Sequence, residues 1–271
     1  MAESSAYGSL DLLVQPVVTH YDRYALHEQA EPRRELCPMF QRAFGALRRR
    51  VQAVVGHDNE PRSLLLLQDL LRDYGFLPVS GSAMSFESIL TICNDILINE
   101  RKAVIEFGSG ISTLAIASLI RRKGLACRFV SVDGNAAWQA IVSRCLHDAG
   151  TAAGVELIHA PVAPHRLAIA GNTWYDLDSH RDSIAASKFD SVIVDGPEAY
   201  TERIALARYP ALPFLRDHLD FERCFVLLDD AERAGEQEVR GRWKAELGID
   251  LNKKVSKSAC GFRGTCFNPI P

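Results

Sequence analysis

Residues 103–113 read AVIEFGSGIST, and this stretch decides the fold. Its first part, Ala103–Phe107, is apolar except for one glutamate and has the composition of a buried strand. Gly108 and Gly110 then permit a tight turn and a close approach of the backbone to a ligand. A helix that begins near Thr113 would point its free N–H groups at the same place. The stretch therefore predicts a strand–turn–helix unit with a ligand at its turn.

Short apolar runs and helical stretches alternate through the rest of the chain. The further predicted strands are Arg128–Val132, Val155–Ala160, Ser191–Val194 and Cys224–Leu228. The predicted helices are Thr113–Lys123, Ala136–Ala149, Glu202–Leu219 and Ala231–Leu247. Apolar strands separated by helices indicate an α/β fold, a parallel sheet with helices on both faces. Two final strand-like runs with no helix between them, Leu251–Lys257 and Gly261–Phe267, predict an antiparallel hairpin.

The N-terminal part has a different character, polar and without strand-like runs. The helices predicted before the first strand are Met39–Val55, Leu64–Tyr74 and Ser85–Asn99. We predict that residues 1–80 form a helical extension or cap and that residues 81–271 form the main domain. The arginine clusters Arg33-Arg34 and Arg48–Arg50 are interpreted as solvated helix faces, or alternatively as contacts with an anionic acceptor or partner.

Composition excludes several classes of protein. The 271 residues carry a net charge of −3, which argues against a protein built to coat nucleic acid. No run approaches the ~18 apolar residues of a membrane helix, and the N-terminus lacks a secretory leader pattern. The seven cysteines are widely spaced without a CxxC pair, which favours reduced thiols over a zinc site. We therefore expect a cytoplasmic protein.

Carboxylates stand at the ends of the first two predicted strands. Glu106 precedes the glycine turn and suits a cationic ligand group better than a pyrophosphate, which it would repel. Asp133 is placed to accept hydrogen bonds from the hydroxyls of a ribose. A nicotinamide-binding turn would have a third glycine where Thr113 stands, so a dehydrogenase is disfavoured. The alternative interpretation of both acids is purely structural, as parts of capping and surface turns.

Three more carboxylates follow the fourth and fifth predicted strands, namely Asp195, Asp229 and Asp230. Because parallel strands end at one edge, these groups should meet there. Like charges gathered in a cleft need a cation or substrate donors to compensate them. The alternative is local: Asp230 would cap a helix, and Asp195 with Gly196 would form a turn.

Glu106 with its GSGIS turn, Asp133, the Asp195-Gly196-Pro197 turn and the terminal hairpin resemble class I S-adenosylmethionine-dependent methyltransferases. The resemblance covers about residues 80–271. It implies a Rossmann-like seven-stranded sheet with an antiparallel last strand, and S-adenosylmethionine as cofactor. The implied cofactor-binding residues are Glu106, Gly108, Ser109, Gly110, Ser112, Thr113, Asp133, Ser85 and Asp195, with Ser82 and Met84 as further candidates. Ser112 stands where the family usually has its third glycine.

The turns after strands four and five look like those of O-methyltransferases, including some that act on sugars. They are also similar in layout to the metal-dependent catechol type. That likeness implies Mg²⁺ or another divalent cation held by Asp195, Asp229 and Asp230, although the catechol type usually has an amide at the last position. Without a metal, Asp195 or Asp230 would be the catalytic general base. Both alternatives stay open at this point.

The acceptor is the least determined part of the site. Trp174 and Tyr175 are candidates for walls of the pocket, Arg203 is a further candidate substrate contact, and His165 and His180 could reach the cleft. We expect methyl transfer to a hydroxyl of a small molecule or of a sugar or glycan. The alternatives are an RNA or protein methyltransferase and a catalytically silent binding module. Neither a nucleic-acid nor a membrane partner is expected, and the sequence predicts no oligomeric state.

Overall fold

A seven-stranded sheet forms the centre of residues 59–271, the part of the chain that the computed structural model describes. The strands of the chain are β1 Ala103–Phe107, β2 Arg128–Asp133, β3 Glu156–His159, β4 Val162–Pro164, β5 Thr173–Tyr175, β6 Ser191–Val194, β7 Phe225–Leu228, β8 Lys253–Val255 and β9 Ser258–Phe262. The order across the main sheet is β3-β2-β1-β6-β7-β9-β8. The first five strands in this order, β3, β2, β1, β6 and β7, are parallel to one another. Strand β9 is antiparallel to both of its neighbours, β7 and β8. The predicted α/β class and antiparallel last strand are confirmed.

Helices cover the sheet on both faces, as predicted. They are α1 Glu60–Leu71, α2 Phe86–Ile98, α3 Ile111–Lys123, α4 Ala136–Asp148, α5 Arg181–Ala185, α6 Ala211–Leu215 and α7 Ala234–Leu247. Local chemistry sets several of their ends. The side chain of Ser85 caps α2 by accepting the Ser88 N–H at 3.2 Å. Gly124 ends α3 in the left-handed conformation, with φ of 58°.

The period of two in the strands divides the buried side chains between two cores. In β1, Ala103, Ile105 and Phe107 face the core that α5, α6 and α7 cover. Val104 faces the opposite core, which α1 to α4 cover, and Glu106 is fully buried on that same side of the strand. A carboxylate buried in this way requires hydrogen-bond partners. The first strand therefore places one carboxylate in the interior of the protein.

Two predicted elements are wrong, and both lie in the second half of the chain. The helix predicted over Glu202–Leu219 is broken into a 3₁₀ turn, the short α6 and another 3₁₀ turn, because Pro210 and Pro213 interrupt backbone hydrogen bonding. The last strand lies at Ser258–Phe262 rather than Gly261–Phe267, and it pairs with β7 from Phe262 opposite Phe225 to Ala259 opposite Leu228.

Other parts of the prediction concern the N-terminal region. The predicted helix Met39–Val55 and both arginine clusters lie outside the described residues. Helix α1 packs Leu67 and Leu71 into the core that α3 also lines. The proposed boundary at residue 80 stays a prediction. None of the helices within residues 59–271 has both the length and the apolarity needed to cross a bilayer.

Candidate active site

A cavity of about 630 Å³ opens at the carboxyl ends of β1, β2 and β6. This is the edge where a parallel sheet presents its strand-end loops, as the sequence predicted. The predicted residues that line it are Gly108, Ser109, Gly110, Ser112, Asp133, Tyr175, Asp195, Ser82 and Met84. Lining residues that the sequence did not single out include Trp138, Glu198 and Ile204.

The floor of the cavity is a contact between two strand-end turns. Gly108 has φ of +101°, and a Cβ there would lie 2.9 Å from the backbone N of Gly196. A Cβ at Gly196 would lie 2.2 Å from the hydroxyl oxygen of Tyr175. Because both turns meet through bare backbone, neither position can hold a larger residue without moving the other. A side chain at either glycine would therefore displace the neighbouring turn or Tyr175.

The first turn of α3 forms the next wall. Gly110 precedes the helix, and its N–H donates to the Thr113 hydroxyl at 2.8 Å. A Cβ at Gly110 would have no atom within 4 Å, so the space beside it is open to the cavity. The N–H groups at the start of a helix lack partners within the helix and favour an anionic group. The turn and the helix start thus provide a site for a carboxylate or phosphate.

Glu106 lies behind this wall rather than in the cavity. Its carboxylate accepts hydrogen bonds from three hydroxyls, those of Ser112, Thr113 at 2.5 Å and Ser131 at 2.7 Å. Burial raises the pKa of Glu106 to about 7, although the three hydroxyls oppose the rise. The group fastens the first turn of α3 to β1 and β2. A direct contact of Glu106 or Thr113 with a cofactor stays a prediction, and neither residue lines the described cavity.

We expect Glu106→Gln to make stability less dependent on pH. The pKa of Glu106 is about 7 in the folded chain, compared with the ordinary value of 4.5 that applies to the unfolded chain. The contribution of Glu106 to stability is therefore fully present below about pH 4.5 and is lost as the pH rises through 7. The difference corresponds to a free energy of unfolding on the order of 3 kcal/mol. Urea unfolding at about pH 5 to 8 measures it, with the exposed Glu238→Gln as control. Parallel pH curves for wild type and Glu106→Gln would contradict the assignment.

Asp133 is fixed by backbone donors at the end of β2. Its Oδ2 accepts the Ser109 N–H at 2.9 Å, and its Oδ1 accepts the Asn135 N–H at 2.7 Å. Burial raises the pKa of this carboxyl, while the two backbone hydrogen bonds oppose the rise. Each carboxylate oxygen still has a second lone pair for a ligand hydroxyl. The indole N–H of Trp138 donates to Ser109 O at 2.7 Å, which places an aromatic ring beside the same turn.

The acidic cluster lies deeper, below the ends of β6 and β7. One carboxylate oxygen each of Asp195, Asp229 and Asp230 lies within 4.8 Å of the other two. Asp195 lines the cavity, whereas Asp229 is buried and accepts the Ser258 hydroxyl at 2.6 Å. Burial, followed by the charge of Asp229, raises the pKa of Asp195 well above its ordinary value. The structure therefore brings together the three acids that the sequence placed at one edge.

Sequence reasoning missed the cation of this cluster, Arg208. Its Nη2 lies 3.4 Å from Oδ1 of Asp195 and 3.5 Å from Oδ2 of Asp230. Arg208 lies in the segment that was predicted as a regular helix, and that prediction did not indicate that its side chain would be buried. An arginine within the apolar run ALARYPALPFL was the available signal. Because a guanidinium already lies against two of the three carboxylates, these residues do not fit a divalent cation in this arrangement. Metal ligation by Asp195, Asp229 and Asp230 stays a prediction that Arg208 argues against.

The remaining predicted residues are divided between packing and surface positions. Trp174 is fully buried, with its ring 5.0 Å from that of Phe214, and it does not line the cavity. Arg203 is exposed on a 3₁₀ turn, and Ser85 caps α2 outside the cavity lining. His165 packs its ring 5.2 Å from Trp174. Like His180, His165 does not line the cavity. Only Tyr175 of the predicted aromatic pair reaches the site.

Comparisons with known proteins give structural matches only. No protein-family model matches the chain, and no curated protein matches its sequence. A Staphylococcus aureus protein assigned as a caffeoyl-CoA O-methyltransferase is similar at a TM-score of 0.50 and 11% identity, over 83% of this chain and 100% of that one. The S-adenosylhomocysteine-bound methyltransferase PaMTH1 of Podospora anserina is similar at a TM-score of 0.49 and 15% identity. The match covers 85% of this chain and 98% of that one. TomG of Streptomyces achromogenes is an O-methyltransferase of tomaymycin synthesis whose structure contains S-adenosylmethionine. It is similar at a TM-score of 0.48 and 15% identity, over 74% of this chain and 90% of that one. The fold is that of class I methyltransferases, as the resemblance implied.

Proposed function

We propose that the chain is an S-adenosylmethionine-dependent methyltransferase that methylates a hydroxyl group of a small molecule or sugar. One observation carries the proposal. A single cavity of about 630 Å³ brings together the glycine turn, the carboxylate of Asp133 and the carboxylate of Asp195. The first two are suited to a methionine carboxylate and a ribose, and the third to an acceptor proton. The observed fold supports the same assignment.

The residues of the cavity divide the cofactor among them. The turn Gly108–Gly110 and the start of α3 would hold the methionine part, and Asp133 would accept hydrogen bonds from the ribose hydroxyls. The rings of Trp138 and Tyr175 border the cavity with faces that suit a purine or a sulfonium. The carboxylates of Asp133, Asp195 and Glu198 favour a ligand that carries positive charge.

Asp195 is the proposed general base. S-adenosylmethionine supplies an electrophilic methyl group when it is bound. The acceptor hydroxyl must then lose its proton, and Asp195 is the member of the acidic cluster that lines the cavity. Its raised pKa makes it a stronger base than an ordinary carboxylate. Alignment of the acceptor by the cavity walls would supply the rest of the rate enhancement.

Asp133→Asn is expected to weaken S-adenosylmethionine binding by about tenfold to a hundredfold, because an amide cannot accept from both ribose hydroxyls and both backbone N–H groups. Isothermal calorimetry measures the affinity. Asp69→Asn, a change at a carboxylate whose side chain is 84% exposed, is the control. Equal affinities of wild type and Asp133→Asn would contradict the ribose assignment.

The same titration separates the alternatives. A wild-type chain that binds no S-adenosylmethionine at millimolar concentration would favour a silent binding module, and binding of a nicotinamide dinucleotide instead would favour a dehydrogenase. A screen of hydroxyl acceptors, RNA and protein with detection of S-adenosylhomocysteine release then tests the acceptor class. Turnover with neutral hydroxyl compounds but not with RNA or protein is the outcome that the proposal predicts.

A further inference from the structure

The guanidinium of Arg208 is built into the acidic cluster. Its side chain is 4% exposed. The Nε–H donates to Pro197 O at 3.1 Å, an Nη1–H donates to Asp229 O at 3.1 Å, and an Nη2–H donates to Asp195 O at 2.6 Å. Three backbone carbonyls therefore fix the plane of the group. A side chain held in this way cannot turn out to solvent without losing all three hydrogen bonds.

Three carboxylates lie within 4 Å of this fixed charge. Beyond its contacts with Asp195 and Asp230, Arg208 places Nη1 3.6 Å from Oε1 of Glu236. The Glu236 side chain is 1% exposed, and Arg208 and Arg233 both lie within 4 Å of its Oε1. Arg233 is the second cation in contact, at 2.7 Å from Asp230, but 38% of its side chain is exposed. Arg208 is thus the buried counterion of the cluster.

We infer that Arg208 is the resident cation of this site, taking the place that a divalent metal would need and holding Asp195 for its task as base. Methyl transfer by this chain would then proceed without a metal. The part of the inference that concerns transfer rests on the proposed function, whereas exclusion of the metal does not. Arg208 is a positioning residue, since it acts through Asp195.

The physical reason is the permanence of the charge. An arginine side chain stays protonated at any physiological pH, so the cluster keeps its cation whether or not a metal is present. A divalent ion bound to Asp195 and Asp230 would face that guanidinium at close range, with twice the repulsion of two single charges. It would also compete with Ser258 for Asp229, which already accepts its hydroxyl at 2.6 Å.

Mn²⁺ binding, followed by electron paramagnetic resonance, tests the inference without reference to turnover. Wild type is expected to bind Mn²⁺ only weakly. Arg208→Gln, which removes the charge, is expected to bind it at least about tenfold more tightly, a difference that Asp229→Asn abolishes. Arg208→Lys keeps a charge and should behave like wild type, as should Arg242→Gln at an exposed ion pair. Equal Mn²⁺ binding by wild type and Arg208→Gln, or tight wild-type binding that Asp229→Asn abolishes, would overturn the inference.

Two further measurements keep the result interpretable. If Arg208→Gln does not fold, the wild-type titration and Asp229→Asn decide the matter alone. Turnover of the wild type should not change after chelation or on addition of Mg²⁺, and a requirement for added metal would overturn the inference. Calorimetry with S-adenosylmethionine tests the proposed function independently of the Mn²⁺ measurements. Failure of cofactor binding would refute the proposed function, while the Mn²⁺ comparison would still test whether Arg208 excludes the metal. If Arg208 positions Asp195, Arg208→Gln should shift the pH profile of kcat and Arg208→Lys should keep the wild-type profile. A purely structural role of Arg208 would not shift this profile.

Discussion

Asp195→Asn is expected to lower kcat by about 10²–10⁴-fold, the range of a lost general base. Asp195 reaches the cavity, and its raised pKa suits it to accept a proton from a hydroxyl. Asparagine keeps the size of the side chain and can accept a hydrogen bond, but it cannot take up a proton. The affinity for S-adenosylmethionine should change much less than kcat. Release of S-adenosylhomocysteine and calorimetry measure the two quantities separately.

The pH profile gives this prediction a second readout. Burial and the charges of Asp229, Asp230 and Glu106 raise the pKa of Asp195, while Arg208 lowers it. Because the base must be deprotonated to act, kcat/KM of the wild type should rise with pH through that raised pKa. Asp195→Asn should lose this rise. Asp182→Asn, at an exposed position on α5, is the control. A variant that keeps half of the wild-type kcat would rule out Asp195 as base.

The central parallel strands β1, β6 and β7 were predictable because they are short, fully buried and mostly apolar. Ala103–Phe107 and Ser191–Val194 have the bounds that the sequence indicated. Once these strands are known, chain order and parallel pairing bring their ends to one edge. That is why Gly108, Asp133 and Asp195 could be assigned to one cavity before the structure was known.

The missed features lie where no period marks the chain. The hairpin of β4 and β5 has strands of three residues each, too short for an alternation to appear. It nevertheless decides that Trp174 packs in the core while Tyr175 reaches the cavity. The segment with Pro210 and Pro213 was predicted as one helix. On a regular helix, the helical repeat alone would decide whether Arg208 faces the core or the solvent. The irregular path instead turns Arg208 inward, and only tertiary contacts define that path.

The role of Glu106 shows a different limit. The sequence places an acid before the glycine turn, and its charge suggests a ligand contact. In the structure, hydroxyls from Ser112, Thr113 and Ser131 converge on it. Since serine and threonine are unremarkable in a helix start and a strand, the sequence does not reveal that they serve as partners. A buried carboxylate with three donors stabilises the shape of the turn, and the turn then shapes the cavity.

Gly108→Ala is expected to lower the free energy of unfolding by about 3 kcal/mol and to abolish measurable cofactor binding. At φ of +101° a Cβ is strained, and it would lie 2.9 Å from Gly196 N and 3.0 Å from the carbonyl carbon of Asp195. Both contacts are backbone, so no side chain can move aside to relieve them. The turn after β6 would have to shift, and Asp195 with it. Urea unfolding and calorimetry with S-adenosylmethionine measure the two effects.

Two other glycines separate strain from obstruction. A Cβ at Gly75 would have no atom within 4 Å, and Gly75 does not line the cavity, so Gly75→Ala should change neither stability nor binding. Gly110→Ala also meets open space, but that space belongs to the cavity. We expect this variant to fold as stably as the wild type and to bind S-adenosylmethionine more weakly. If Gly110→Ala bound the cofactor as well as the wild type does, the cofactor would not lie against this turn, whereas loss of binding without loss of stability would place it there.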